Sequence, residues 1–416
     1  MGSKVSIRQV LIIAGAFVSF TIGSGFASGN EVLQFFGSWG FPDSLWSVIG
    51  AAVITAIYCI GLYKAGQYVQ FEKTNECYNY FGGKYLGWFF MAYVFVNVTC
   101  VFMTMFAGAG SLLNQHFGCS KWVGIILIAI ISAVIVVGGF KTVENVLGYA
   151  GIVIIAYTLV FGVISLFSPT SSFDQAALAD EMVADGQIWQ ANLLALFPLS
   201  EIPGLADMNN ALLEGVLYGA ICIVSGFPFM IALGKRTKNN VEATTAGIIT
   251  SIAFYACVAF VLVILLTNFN SLINPQTGVM FDFPTLAAVD ALWPSGSWTY
   301  VVIIFIGIFT TISGYLWVLC DMFFPGQERT VRTNVFTIVI ILVGMLLGSV
   351  IPFSAIVNFI WPISGFVGLI MTAAVLIRTI RGPSKEIREK IEREKAAEAK
   401  QQSEEATHSI DEGQEA

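Results

Sequence analysis

The chain has 416 residues, 56% of them hydrophobic and only 11% charged, with a mean hydropathy of +0.78. A soluble domain carries roughly 25% charged residues, so this composition is that of an all-α polytopic membrane protein embedded in a lipid bilayer. A net charge of −7 with no basic face excludes a nucleic-acid binder.

In chain order, ten stretches are apolar and long enough to cross a bilayer, for which about 20 residues suffice. They cover 10–36, 43–64, 85–113, 122–139, 145–167, 209–234, 244–267, 297–323, 334–351 and 354–378. The first has no separate basic region or cleavage site and is too long for a signal peptide, so it reads as a retained span. With Lys4 and Arg8 inside, alternating spans place Lys64, Lys73, Lys84, Lys141, Lys235, Arg236, Lys238, Arg329 and Arg332 inside too. The tail from Arg378 follows, and of the 20 basic residues only Lys121 falls outside. Basic loops stay in the cytoplasm, which predicts a multi-pass protein of the cytoplasmic membrane with both termini inside. The seven cysteines contain no CxxC pair, which argues against a zinc site or structural disulfides.

Five spans precede a long outer loop and five follow it, with equivalent spans about 200 residues apart. Five is odd, so the two halves cross in opposite senses, an inverted repeat of the kind secondary transporters use. The expected units are a first five-helix repeat (1–167), an extracellular loop (168–208), a second, inverted repeat (209–378) and a cytoplasmic tail (379–416). Within the tail, 385–400 alternates Glu with Lys and Arg at helical spacing, and 401–416 is acidic and polar. The loop 268–296 holds a short amphipathic run after Pro284, expected to form a surface helix over an outer vestibule.

The segment Thr21-Ile22-Gly23-Ser24-Gly25-Phe26-Ala27-Ser28-Gly29-Asn30-Glu31 interrupts the first span with three glycines and a carboxylate. Glycine costs about 1 kcal/mol in a helix relative to alanine, and irregular backbone at membrane depth survives only beside protein or a water-filled cavity. An unwound turn here would present N–H groups and a positive dipole end to a carboxylate, and carbonyls to a cation. The competing reading is close helix packing through Gly25-x-x-x-Gly29. Glu31 adds an intramembrane carboxylate, which such proteins keep for a pathway, unless it sits hydrated at the outer interface. In the sixth span, Tyr218-Gly219-Ala220 and Ser225-Gly226-Phe227-Pro228 predict a second break. In the eighth, Gly307, Thr310 and Thr311 offer a carbonyl and two hydroxyls for a hard cation, against the commoner reading of threonines bonded to their own helix. Asn97, Thr99 and Thr104 mark the third span as polar. His116 and His408 lie outside the spans and converge with no carboxylate pair or nucleophile, so no enzyme is expected.

The run Ile22-Gly23-Ser24-Gly25-Phe26-Ala27-Ser28-Gly29-Asn30-Glu31, followed by Phe35-Phe36-Gly37, resembles the IGAGFASGQE opening of the bacterial YkvI-type membrane proteins, relatives of the amino acid–polyamine–organocation superfamily. The resemblance is specific at this opening and general over residues 1–380. It implies the LeuT-type fold, ten transmembrane helices as a five-plus-five inverted repeat. It also implies alternating-access transport of a small organic solute, commonly an amino acid, driven by sodium or protons. Carried over by position, the substrate set is Gly23, Ser24, Gly25, Phe26, Ala27, Gly29, Asn97, Tyr218, Cys222 and Ser225. A sodium site would take Ser19, Ile22, Gly307, Thr310 and Thr311, with Na+ as coupling ion and no other cofactor. The chain departs from the YkvI pattern at Cys222, where that pattern has Asn. Two alternatives remain: a proton-coupled transporter using Glu31, and a ligand sensor on the same fold that binds without transporting.

Overall fold

The computed structural model describes residues 5–73, 76–171, 176–186, 188, 211–276, 278, 280–324, 330–350, 353–383 and 389. Lys4, Arg329, most of the loop 168–208 and nearly all of the tail lie outside them. The first span is three pieces, α1 (Ile7–Thr21), α2 (Ser24–Ser28) and α3 (Asn30–Phe35). There follow α4 (Asp43–Val69), α5 (Glu76–Phe117), α6 (Lys121–Val137), α7 (Phe140–Phe167) and α8 (Ala176–Ala184). The second half comprises α9 (Ala211–Gly234), α10 (Asn240–Thr267), α11 (Pro284–Leu292), α12 (Ser297–Phe323), α13 (Val331–Val350) and α14 (Phe353–Arg381). Among the described residues eight helices are long and apolar enough to span a membrane, and α1 and α6 are shorter apolar helices. With the pieces of the broken first span joined, these are the ten spans expected.

The packing repeats itself under inversion. α1 lies along α7 as α9 lies along α14, and α10 meets α1 as α4 meets α9. Likewise α12 touches α7 and α6 as α5 touches α14 and α13. Small residues allow these approaches. A Cβ on Gly151 of α7 would sit 1.9 Å from the Gly15 carbonyl oxygen of α1, so the two backbones are in contact. Gly151→Leu is expected to cost more than about 2 kcal/mol by overpacking, read as a lower melting temperature and a smaller monodisperse fraction in detergent.

Two expectations need correction. No break interrupts α9: it runs unbroken through Gly219, Gly226 and Pro228. Its glycines face a neighbour instead. A Cβ on Gly215 would lie 1.9 Å from the Ser47 carbonyl oxygen, and one on Gly219 2.8 Å from that of Ala51, so Gly219, which reads as a breaker, is part of the contact surface for α4, while Gly226 faces Phe20 of α1. The third span begins at Glu76 rather than near 85 and turns at Gly83 (φ 65°). Its first turns are polar enough to escape a hydropathy reading. The short helix α11 forms after Pro284 as expected, with Pro284, Thr285, Leu286, Ala288 and Val289 buried against α2, α10 and α12.

One end of the bundle is tied by acids. Glu144, at the start of α7 and 1% exposed, accepts from Gln9 Nε2 at 3.2 Å and pairs with Arg236 Nε at 3.0 Å. The Ser6 N–H donates to Glu242 Oε2 at 3.1 Å. Arg236→Ala is expected to lower stability by about 2 kcal/mol, because it strands a buried carboxylate. Adding Glu144→Gln should recover much of that loss in the same thermal melt.

Candidate functional site

The break in the first span has a definite geometry. α1 ends at Thr21, Ile22 leaves the helical region (ψ 75°), and Gly23 is extended (φ −81°, ψ −167°). The five-residue α2 then ends at Gly29, whose φ of 90° favours glycine. A Cβ there would also fall 2.0 Å from Thr285 Oγ1. Thr285 donates to the Ser28 carbonyl at 3.0 Å, and Asn30 Nδ2 donates to the Asp282 carbonyl at 2.8 Å. The Thr285 hydroxyl of α11 therefore satisfies one carbonyl that the interruption of the span sets free, and Asn30 ties the break to the segment just before α11.

The Ser19 carbonyl, two residues before the end of α1, faces α12. It accepts from Thr310 Oγ1 at 2.9 Å and from Thr311 Oγ1 at 3.1 Å. The Thr310 hydroxyl also lies 2.9 Å from the Gly307 carbonyl oxygen and 3.0 Å from that of Ile306. Opposite Gly307, the Ile22 carbonyl oxygen would be 3.0 Å from a Cβ at that position. Ser19, Ile22, Gly307, Thr310 and Thr311 thus converge where α1 breaks. The Ser19 hydroxyl is not part of this group: it donates to the Leu147 carbonyl at 2.6 Å and ties α1 to α7.

A second cluster lies beside the break. A cavity of about 40 Å³ is lined by Thr21, Gly23, Glu31, Asn97, Val101, Met105, Tyr218, Ile221, Cys222, Ser225, Tyr315 and Trp361. Glu31 is buried at 8% exposure. Its carboxylate accepts the Tyr218 hydroxyl at 3.1 Å and the backbone N–H of Phe26. Gly25 makes that possible: a Cβ there would sit 1.9 Å from Glu31 Oε1. The Tyr218 ring is held between Phe35 and Phe36, with centroids 5.0 and 4.9 Å away. Asn97 Nδ2 donates to Ser364 Oγ at 2.7 Å, while its Oδ1 is buried without a partner. Ser225 is hydrogen-bonded to the Tyr315 hydroxyl.

Of the substrate set carried over by position, Gly23, Asn97, Tyr218, Cys222 and Ser225 line this cavity, and Gly25 borders it through Glu31. Ser24 contributes the first turn of α2. Phe26, Ala27 and Gly29 lie elsewhere: the Phe26 ring meets Phe254 at 5.5 Å, Ala27 lies towards Gly307, and Gly29 abuts Thr285. Thr104 bonds the Val101 carbonyl at 2.7 Å, and Thr99 is not among the lining residues. Thr21, Met105, Tyr315 and Trp361 are cavity residues that sequence reasoning missed. Tyr315 was within reach of it, because it lies four residues beyond Thr311 on the same helix face.

No protein-family model matches the chain. It is similar to the uncharacterized membrane protein YkvI of Bacillus subtilis (strain 168), 22% identical over 382 residues that cover 90% of this chain and 97% of the relative. Among solved structures it is similar to Mhp1, a nucleobase-cation-symport-1 family transporter in a closed conformation with bromovinylhydantoin bound. The TM-score is 0.55 at 12% identity, over 91% of this chain and 80% of that one. A manganese transporter of Eremococcus coleocola superposes with a TM-score of 0.51 at 11% identity, over 90% and 77% of the two chains. The fold is of the LeuT type. In the LeuT-type frame, the broken first span, the unbroken sixth and the third and eighth spans surround the cavity, with Trp361 of the tenth at its edge.

Proposed function

We propose that the chain is a secondary transporter of the cytoplasmic membrane that moves a small organic solute, an amino acid or a related compound, by sodium-coupled alternating access. The observation that carries this reading is the meeting of Ser19, Ile22, Gly307, Thr310 and Thr311 at the interruption of the first span. These residues offer three carbonyls and two hydroxyls, an all-oxygen set of zero formal charge. Hard cations take oxygen ligands, and divalent ones are usually held with the help of carboxylates, so the set suits Na+. A cation held there adds positive charge between α1 and α12, which supports the two elements in one relative position. The residues themselves supply the coupling: the same backbone break that frees the Ser19 and Ile22 carbonyls also opens the cavity at Gly23.

The cavity is small, about 40 Å³, and lies beside the break. The halves related by inversion supply the second packing that alternating access requires. The basic ends of the spans support a cytoplasmic position for both termini. The test is counterflow or uptake in proteoliposomes under an imposed sodium gradient, with a panel of amino acids and amines. Accumulation that collapses when choline replaces sodium is expected. Sodium-dependent binding without any accumulation would favour the sensor reading instead.

A further inference from the structure

The charge of the cavity is one-sided. Its lining has a buried carboxylate and no lysine, arginine or histidine, and among the described residues Glu31 forms no ion pair. A carboxylate at membrane depth is expensive to leave without a counter-charge. We propose that the solute carries a positively charged amine, with no free carboxylate beside it, and that Glu31 is its counter-ion. This rests on the transporter reading above and, of the solutes named there, selects the related amine over the amino acid.

Three further observations point the same way. First, the Phe26 N–H of α2, a donor that a solute carboxylate could otherwise use, is already engaged by the protein's own acid. Glu31 accepts the Phe26 N–H and fills the space that Gly25 leaves open. A zwitterionic amino acid would bring a second carboxylate against the first. Second, the unused polar capacity of the cavity is acceptor capacity. Asn97 is 1% exposed and its Oδ1 lacks a partner. Thr21 spends its hydroxyl proton on the Phe17 carbonyl at 2.8 Å, which leaves its lone pairs. A primary ammonium offers three donors and no acceptor, the complement of such a lining. Third, Tyr218, Tyr315 and Trp361 present aromatic side chains to the same space, and aromatic faces attract a desolvated cation.

The experiment uses the purified full-length protein in detergent with sodium present. Thermal shift and calorimetry are run with matched probes: isoamylamine, leucine and 3-methyl-1-butanol, then tyramine against tyrosine. The amines are expected to bind at least about tenfold more tightly than the matching amino acids and alcohols. Glu31→Gln should weaken amine binding by at least about 30-fold, the loss typical when one partner of a buried charge pair is removed, while the sodium-dependent shift remains. Glu31→Asp, which keeps the charge, should retain part of the affinity. It covers the case in which Glu31→Gln loses its sodium shift through misfolding. Amino acids binding as tightly as amines, or amine binding untouched in Glu31→Gln, would overturn the assignment. So would neutral-solute uptake with a steep pH dependence that Glu31→Gln removes, because Glu31 would then be a proton carrier. The two levels fail separately: sodium-driven leucine uptake by Glu31→Gln sinks the amine and leaves the transporter, whereas amine binding with no uptake does the reverse.

Discussion

The double substitution Thr310→Ala and Thr311→Ala is expected to abolish sodium-dependent stabilisation and to reduce sodium-driven uptake at least a hundredfold. Both hydroxyls point at one backbone oxygen, that of Ser19, so their removal takes two of the five candidate cation ligands at once. The cost to the fold itself is smaller. No donor is orphaned, because the protons leave with the hydroxyls, and the Ser19 carbonyl loses its two donors from α12, a penalty of about 1–3 kcal/mol. A melting curve in choline should therefore fall by several degrees, while the extra shift that sodium gives the unsubstituted protein vanishes. Thr310→Ser with Thr311→Ser keeps both oxygens and should recover the sodium shift. A sodium shift of unchanged size in the double alanine variant would discard the cation site, and with it sodium as the coupling ion.

Much of this architecture is written locally in the chain. The interruption of the first span is legible because Gly23, Gly25 and Gly29 weaken the helix at the same place where Ser28, Asn30 and Glu31 make lipid a poor neighbour. The grouping of Thr310 and Thr311 with Gly307 is helical periodicity, readable at i, i+3 and i+4. What the sequence conceals is the partner of each glycine. Gly25 and Gly215 look alike in a hydropathy trace. Yet the first makes room for a carboxylate within its own span, and the second makes room for the backbone of another helix. Pro228 likewise reads as a breaker, but it lies in α9, buried along nearly its whole length between α4 and α14. There, tertiary packing holds the helix against its own local preference. The same limit applies to Trp361. Asn358 and Ser364 flank it one turn away on either side, yet nothing local says which helix it faces, and only the packing of α14 against α5 and α9 brings it to the cavity.

Gly25→Ala is the sharpest probe of that hidden partnership. A methyl group at residue 25 would lie 1.9 Å from Glu31 Oε1 and 2.7 Å from its Cδ, so the carboxylate must leave the Phe26 N–H and the Tyr218 hydroxyl. Displaced, it has no basic side chain to turn to, because the cavity lining holds none. The single variant is expected to lose about 2 kcal/mol of stability from overpacking and to lose solute binding altogether. The sodium-dependent shift should persist, because Ser19, Ile22 and Thr310 lie on the other side of the break. The decisive comparison is a double-mutant cycle. In a Glu31→Ala background the space is already vacated, and Gly25→Ala should then cost close to nothing, giving a coupling of about 2 kcal/mol between the two positions. Equal costs in both backgrounds would mean that Gly25 is required for the backbone of α2 and not for the seat of Glu31, and the carboxylate would no longer be the group around which the first span is broken.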